Sequence, residues 1–191
     1  RSQELMGALA DPAVDAILAA RGGYGSMRLL DMVGVERVRA ANKLLIGFSD
    51  VSALHALWAH AGLQSVHAPM VAAFATIDEI NWQRWIAVVE SGDPLQLHGL
   101  DVWAKGKATG PLLGGNLATV HALLGTPYAL PLKGAVLFLE DVGEAPYRID
   151  RMLSTLRLNG AFDRVAGILV GGFTDADPGL HTTTAEEVLK E

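Results

Sequence analysis

The chain contains no cysteine. That excludes disulfides, thiolate metal sites and a cysteine nucleophile, and it suits a reducing compartment, so a cytoplasmic protein is expected. No uninterrupted apolar run of about 18 residues is present, so no membrane span is expected. The opening RSQELMGALADPAVDAILAARGG is not expected to act as a signal peptide, because Asp11, Pro12 and Asp15 break any apolar core. Basic runs are also missing: 15 Lys+Arg against 21 Asp+Glu leave a net charge of −6, which argues against a nucleic-acid partner. There is no H-E-x-x-H and no clustered His/Asp pattern, so a metal site is not expected.

Half of the 191 residues are hydrophobic and 19% are charged, enough to bury a core in one or two domains. Residues 2–10 read as a helix ended by Asp11-Pro12, and VDAILA as a buried strand. RGGYGSMRLLDMV is a glycine turn followed by a helix, and VERVRAANK a polar helix or loop. LLIGF is a second strand, SDVSALHALWAHAG a second helix closed by Gly62, and QSVHAPM a third extended piece. Strand, glycine turn, helix, strand, serine turn, helix is the rhythm of a parallel α/β sheet.

The pattern changes after residue 80. NWQRWIAVVESGDP reads as a helix, and LQLHGLDVWAKGKATG as a short, glycine-punctuated, strand-like connection. The expected division is an α/β domain over 1–80, a connecting segment over 81–107 and a C-terminal domain over 108–191. In the latter, GPLLGGNLATVHALLGTPYA reads as a glycine-rich loop entering a helix capped by Asn116. GAVLFLED reads as a strand, YRIDRMLSTLRLNGAF as a helix with Ile149, Met152, Leu153 and Leu156 on one stripe, and VAGILVGGFTD as a buried strand. Both ends look interrupted: the first helix has no cap before it, and TTTAEEVLKE is a capped helix start of about two turns.

In open α/β sheets, ligands bind beyond the carboxyl ends of the strands. Ser49, in GFSD, sits at such an end. Its hydroxyl would be presented by a sharp strand-to-helix turn, with the Asp50 amide available to a developing oxyanion. RGGYG follows the preceding strand, and Gly23 is the candidate second amide donor. Ser and Asp before a helix are more often plain caps, and Val51 departs from the G-x-S-x-G elbow. RGGYG is a poor dinucleotide fingerprint, because Arg28 stands where the third glycine belongs. Glu140, Asp141 and Glu144 follow the GAVLFL strand as candidate acids, a solvated role being the commoner one for such groups. A serine nucleophile needs a base. His55, His60 and His121 fall within helical patterns and His98 in the connection, which leaves His67 and His181 as the candidates.

ARGGYG, LIGFSDVSALH, GPLLGGNL, LFLEDVGEAPYRIDRML and GILVGGFTD, in that order, resemble the L,D-carboxypeptidase family of serine peptidases. The family includes muramoyl-tetrapeptide carboxypeptidases and microcin C immunity peptidases. The resemblance runs from about Asp15 to Asp175. It implies an α/β fold, with a parallel-sheet N-terminal domain carrying the nucleophile and a smaller, mainly β C-terminal domain with helices. It also implies Ser49 as nucleophile, Glu140 as triad acid, and the Asp50 and Gly23 amides as oxyanion hole. The family's triad histidine would lie beyond Glu191, and its first strand before ARGGYG, so the chain resembles the middle of such an enzyme.

The expected chemistry is hydrolysis of the L,D-peptide bond to a terminal D-amino acid, trimming a murein tetrapeptide to a tripeptide in peptidoglycan recycling. Arg21 and Arg148 are candidates for the substrate carboxylate, though each can equally form a structural ion pair. No cofactor is implied, and a homodimer is expected. The alternatives are a microcin-type peptidyl-nucleotide hydrolase, an inactive binding module lacking the histidine, and, more distantly, a nucleotide-binding α/β domain.

Overall fold

Two three-stranded parallel sheets organise the chain, each within its own compact unit, Arg1–Lys105 and Gly106–Glu191. The computed structural model describes residues 2–92, 96–179 and 183–191.

The first unit opens with helix α1 (Ser2–Ala10) and strand β1 (Ala16–Leu18). A 3-10 turn (Ser26–Leu29) leads into α2 (Leu30–Val33) and α3 (Val35–Ala41), which stops where Asn42 turns left-handed at φ 50°. Strand β2 (Leu44–Gly47) follows, then a 3-10 turn (Ser49–Val51), α4 (Ser52–Ala61) and β3 (Ser65–His67). A further 3-10 turn (Val71–Ala73) precedes α5 (Glu79–Ile86), which runs into a π-helical turn (Ala87–Ser91). The strand order is β1-β2-β3, with Leu18 level with Ile46 and Gly47 level with His67.

Helix α4 is apolar nearly all round, and the structure buries Ala53, Leu54, Ala56, Leu57, Trp58 and Ala61. Such a helix lies inside its domain rather than on its surface. Full burial of a large apolar side chain such as Leu57 contributes about 1.5–3 kcal/mol. The polar groups beneath α4 are satisfied: Trp58 Nε1 donates to the Lys43 carbonyl at 2.8 Å. Buried Lys43 in turn donates to the carbonyls of Ala8 and Asp11, capping the open end of α1. This core fixes the helix that follows Ser49 and therefore the direction in which the serine turn leaves the sheet.

The second unit contains β4 (Leu112–Asn116), α6 (Leu117–Ala122), β5 (Val136–Val142), α7 (Pro146–Leu158), α8 (Ala161–Arg164), β6 (Gly167–Thr174) and α9 (Ala185–Lys190). Its order is β4-β5-β6. Along β5, Leu137, Leu139 and Asp141 are buried, while Val136, Phe138 and Glu140 on the opposite face are half-buried, the period-two alternation of a strand. Helix α7 starts on Pro146 and buries Ile149, Met152 and Leu156; Leu153 is only half-buried. Thr184 and Glu187 form a reciprocal capping box at the start of α9.

Two sequence expectations change. GPLLGGN is strand β4, not a loop. Gly114 and Gly115 have φ of 144° and 133°, and a Cβ on Gly114 would lie 1.8 Å from the Phe138 carbonyl oxygen. These glycines permit a close strand approach; they do not make a turn. The stretch 96–110 contains no strand among the described residues, although its alternating apolar residues suggested one. Leu97, Leu100, Val102 and Trp103 are exposed there, so no apolar face is formed to pay for strand order.

Candidate active site

The carboxyl end of the first sheet is crossed by three loops. After β1, residues 19–25 carry the glycines; after β2, residues 48–51 carry the serine; after β3, residues 68–73 arch back across the sheet end. That arch is tied down by Val71 and Ala72, whose amides donate to Ala19 and Ala20 carbonyls at 3.4 and 2.9 Å. Trp85 Nε1 donates to the Pro69 carbonyl at 3.1 Å, and Trp85 stacks on Trp82 with Phe74 edge-on to both.

Ser49 has φ of 62°. The left-handed region costs a non-glycine residue about 1–2 kcal/mol. The preceding Phe48 is extended and the following helices begin at once, so the chain reverses sharply at the serine. Room for that reversal comes from glycine. A Cβ on Gly47 would meet Val51 Cγ1 at 2.9 Å and Ala19 Cβ at 3.1 Å. A Cβ on Gly22 would lie 3.2 Å from both Cβ and Oγ of Ser49. The cap positions belong to Phe48 for the 3-10 turn and Val51 for α4, and neither supplies a side-chain bond. The cap role that local sequence favours for Ser49 is therefore not the one it adopts.

The glycine loop and the serine turn meet through Asp50. Its Oδ2 accepts from the Ser26 amide at 3.0 Å and from Ser26 Oγ at 2.8 Å. Gly23, with φ of 135°, and Gly25, with φ of 104°, give the intervening loop a path that L-residues rarely follow. Gly22, rather than Gly23, is the glycine packed against Ser49, a distinction that RGGYG does not reveal in sequence. Arg21 is exposed and makes no side-chain hydrogen bond or ion pair among the described residues.

Two histidines lie beneath the turn. Buried His55 places Nε2 2.8 Å from the Gly47 carbonyl oxygen, which also accepts from the Ala68 amide. Nε2 therefore carries the proton and donates. Burial lowers the His55 pKa, against the opposing effect of this bond. His67 lies 5.9 Å from His55 between ring centroids and packs edge-on to Phe48 at 6.0 Å. Burial, followed by the neighbouring His55, lowers its pKa to about 4. Its imidazole is neutral near pH 7 but too weakly basic for efficient removal of a serine proton. His181 lies outside the described residues.

In the second unit, the adjacent acids at the end of β5 part company. Asp141 is buried, and accepts from Asn116 Nδ2 at 2.8 Å and from the amides of Ala118 and Val142 at 2.9 and 2.8 Å. It anchors the start of α6, where Asn116 caps by accepting from the Thr119 amide. Glu140 points to the opposite face. The ladder to β6 slips there: Leu139 is level with Val170 but Asp141 with Phe173, so Gly171 and Gly172 together oppose Glu140. A Cβ on Gly171 would lie 2.8 Å from the Phe138 ring and 3.1 Å from Glu140 Cβ. Bulges of this kind re-aim a side chain and gather near active sites.

Burial, and then the neighbouring Asp141, raise the Glu140 pKa to about 7. Glu144 pairs with Arg148 at 3.5 Å, and Arg148 Nε donates to Tyr147 Oη at 3.2 Å. These contacts to Tyr147 and then Glu144 raise the Arg148 pKa. Arg148 is thus engaged on α7 in the structural pairing that its sequence context equally allowed. Among the described residues no group of three or more His, Asp or Glu is placed to hold a metal ion, and no helix is long and apolar enough to cross a membrane.

Parallel sheets entered by helices, with a strained serine at one strand end, define an α/β protein. Residues 1–68 match the N-terminal domain and residues 109–191 the C-terminal domain of LD-carboxypeptidase, and the chain belongs to that family, peptidase S66. A Streptomyces coelicolor protein carrying a carboxypeptidase name is 41% identical, the alignment covering 93% of this chain and 59% of that one. The murein tetrapeptide carboxypeptidase of Pseudomonas aeruginosa is 32% identical over 92% of this chain and 61% of its own. The crystal structure of muramoyltetrapeptide carboxypeptidase from Oxalobacter formigenes matches with a TM-score of 0.81 at 26% identity, covering 98% of this chain and 67% of that one. MccF in complex with glutamyl sulfamoyl guanosine matches with a TM-score of 0.83 at 25% identity, covering 99% and 67%. The chain spans about six-tenths of the length of the curated relatives it matches.

Proposed function

We propose that this chain carries the nucleophile and the triad acid of a serine carboxypeptidase that removes a terminal D-amino acid from a murein tetrapeptide by hydrolysing its L,D-peptide bond. The observation that carries the reading is the left-handed Ser49 at the end of β2, φ 62°, held where no cap bond explains it. Strain of this kind concentrates at functional sites. The name of the Pseudomonas relative supports murein tetrapeptide as the substrate.

In this reading Ser49 Oγ attacks the carbonyl carbon of the terminal peptide bond, and the tetrahedral oxyanion is held by the amides of Asp50 and Gly23. A histidine supplied from the family's C-terminal segment takes the serine proton and returns it to the departing amine of the D-amino acid. Water then hydrolyses the acyl-enzyme. Glu140 fixes the tautomer of that histidine and stabilises its cation. A half-buried carboxyl with a pKa of about 7 suits this role, because an imidazolium beside it would draw it back to the ionised form and be stabilised in return. Arg21, exposed beside the glycine loop and without a side-chain partner among the described residues, is the arginine assigned to the substrate carboxylate, Arg148 being held by Glu144 and Tyr147. The catalytic centre uses no metal or organic cofactor, and the enzyme works in the cytoplasm as a homodimer.

The test is release of D-alanine from murein tetrapeptide by the full-length protein and by its Ser49→Ala variant. Activity in the parent, with loss of at least about a thousand-fold in a folded variant, is expected. An unchanged rate in the variant overturns the nucleophile assignment. The MccF likeness makes a peptidyl-sulfamoyl nucleoside the informative second substrate. Hydrolysis of that compound alone would replace murein peptide as the substrate.

A further inference from the structure

Asp50 enters the proposed mechanism through its amide, yet its carboxylate has a separate task. An acidic residue at the start of a helix ordinarily bonds to the amides of its own first turn. Asp50 does not. Its Oδ2 reaches 24 residues back to take both the amide and the hydroxyl of Ser26, at 3.0 and 2.8 Å. Ser26 is the first residue after the glycine loop, whose left-handed Gly23 and Gly25 leave its backbone little intrinsic preference for one path. On the other side of that loop Gly22 lies against Ser49. The serine turn therefore grips the loop at both ends, by packing at Gly22 and by two charge-assisted bonds at Ser26.

We infer that the Asp50 carboxylate is the positioning residue of the oxyanion hole: its latch on Ser26 sets the glycine loop, and with it the Gly23 amide, against the serine turn. The inference rests on the reading of Ser49 as nucleophile for its catalytic consequence. Both oxyanion donors are then fixed by one residue, the first by the Asp50 backbone and the second through the Asp50 side chain. An oxyanion donor acts on the transition state and hardly on the bound substrate, so loss of its placement falls on kcat and spares KM.

The experiment compares Asp50→Ala, Asp50→Asn and Ser26→Ala in the full-length protein. Steady-state kinetics on murein tetrapeptide are combined with amide hydrogen exchange of residues 21–26. Asp50→Ala is expected to lower kcat roughly 10- to 100-fold with KM within about three-fold, because a displaced donor costs that much. Asp50→Asn keeps an acceptor oxygen for both Ser26 donors and restores most of kcat, while Ser26→Ala falls between. Exchange at Ser26 and the loop accelerates at least about ten-fold in Asp50→Ala and recovers in Asp50→Asn. Unchanged exchange in Asp50→Ala overturns the latch. Faster exchange with unchanged kcat overturns its catalytic role. The parent reading is judged separately by Ser49→Ala, and if that variant stays active the exchange measurement still decides whether Asp50 orders the loop.

Discussion

Replacing Ser49 by glycine should make the protein more stable. The side chain at this position is held at φ 62°, a conformation that costs an L-residue about 1–2 kcal/mol and glycine almost nothing. Glycine returns about 0.5–1 kcal/mol of that gain through the greater freedom of its unfolded chain. The net expectation is a stabilisation of about 0.5–1 kcal/mol. Ser49→Ala keeps the strained backbone and the Cβ packed near Gly22, and removes a hydroxyl that caps nothing, so it should change stability by less than about 0.5 kcal/mol. All four tryptophans (Trp58, Trp82, Trp85 and Trp103) lie in the first unit, so urea unfolding followed by tryptophan fluorescence reads that unit directly. The midpoint should move with the slope unchanged. A helix cap has the opposite signature: alanine would cost about 1 kcal/mol and glycine only a few tenths. That pattern, or a glycine variant weaker than wild type, would refute the strained-turn argument.

Further expectations concern the second unit and pH. Asp141→Ala strands the donors of Asn116, Ala118 and Val142 at a buried site and should destabilise by about 2–4 kcal/mol in chemical denaturation, whereas Glu140→Gln, which cannot ionise, should raise the midpoint at pH 7 and above while abolishing turnover. Gly114→Ala should prevent the second unit from folding, seen as lost dispersion in its NMR spectrum, because the new methyl would overlap the Phe138 carbonyl. His67 has a pKa of about 4 when folded against 6.5 unfolded, so the unfolded chain binds the extra proton between those values. First-unit stability should therefore be complete above pH 6.5 and fall by up to about 3 kcal/mol toward pH 4; His67→Gln should flatten that slope in urea midpoints measured across the range. Glu140 acts in the opposite sense: its raised pKa of about 7 gives the second unit stability that is present below pH 4.5 and lost as pH rises through 7.

Most of the order of strands and helices was legible because it is written in local periodicity and in punctuation such as Asp11-Pro12, Gly62 and Asn116. The family was legible from five ordered motifs. Strand β4 was not, since its two glycines look the same whether they turn a chain or let two strands approach. Which of the two neighbouring acids is structural was not legible in the residues themselves, although the resemblance pointed to Glu140 as the triad acid. Alternation along β5 separates Glu140 from Asp141, but only the slip opposite Gly171 and Gly172 and the three donors around Asp141 say which one is structural. The bond from Asp50 to Ser26 joins residues 24 apart and leaves no periodic trace. His55 read only as a residue within a helical pattern; its hold on the Gly47 carbonyl is a consequence of the fold that follows.

Ser49 and Glu140 belong to different units, and yet each stands where its sheet breaks a local rule and where glycines make the break sterically possible. At Ser49 the break is a left-handed residue, with Gly47 and Gly22 clearing the space beside it. At Glu140 it is a slipped ladder, with Gly171 yielding to the Phe138 ring and to the Glu140 side chain itself. A regular strand would direct either side chain along the face it happens to share with its neighbours. Departures of this kind cost stability and persist where the surroundings enforce them. The glycines of ARGGYG, IGFSD and VGGF are then a single physical requirement repeated: close approach of backbone and side chain around a group that must be aimed. On this argument the glycine variants should be as damaging to turnover as those of the groups they flank. Gly22→Ala and Gly171→Ala, each read by kcat alongside the unfolding midpoint, would count against it if both folded stably and kept full activity.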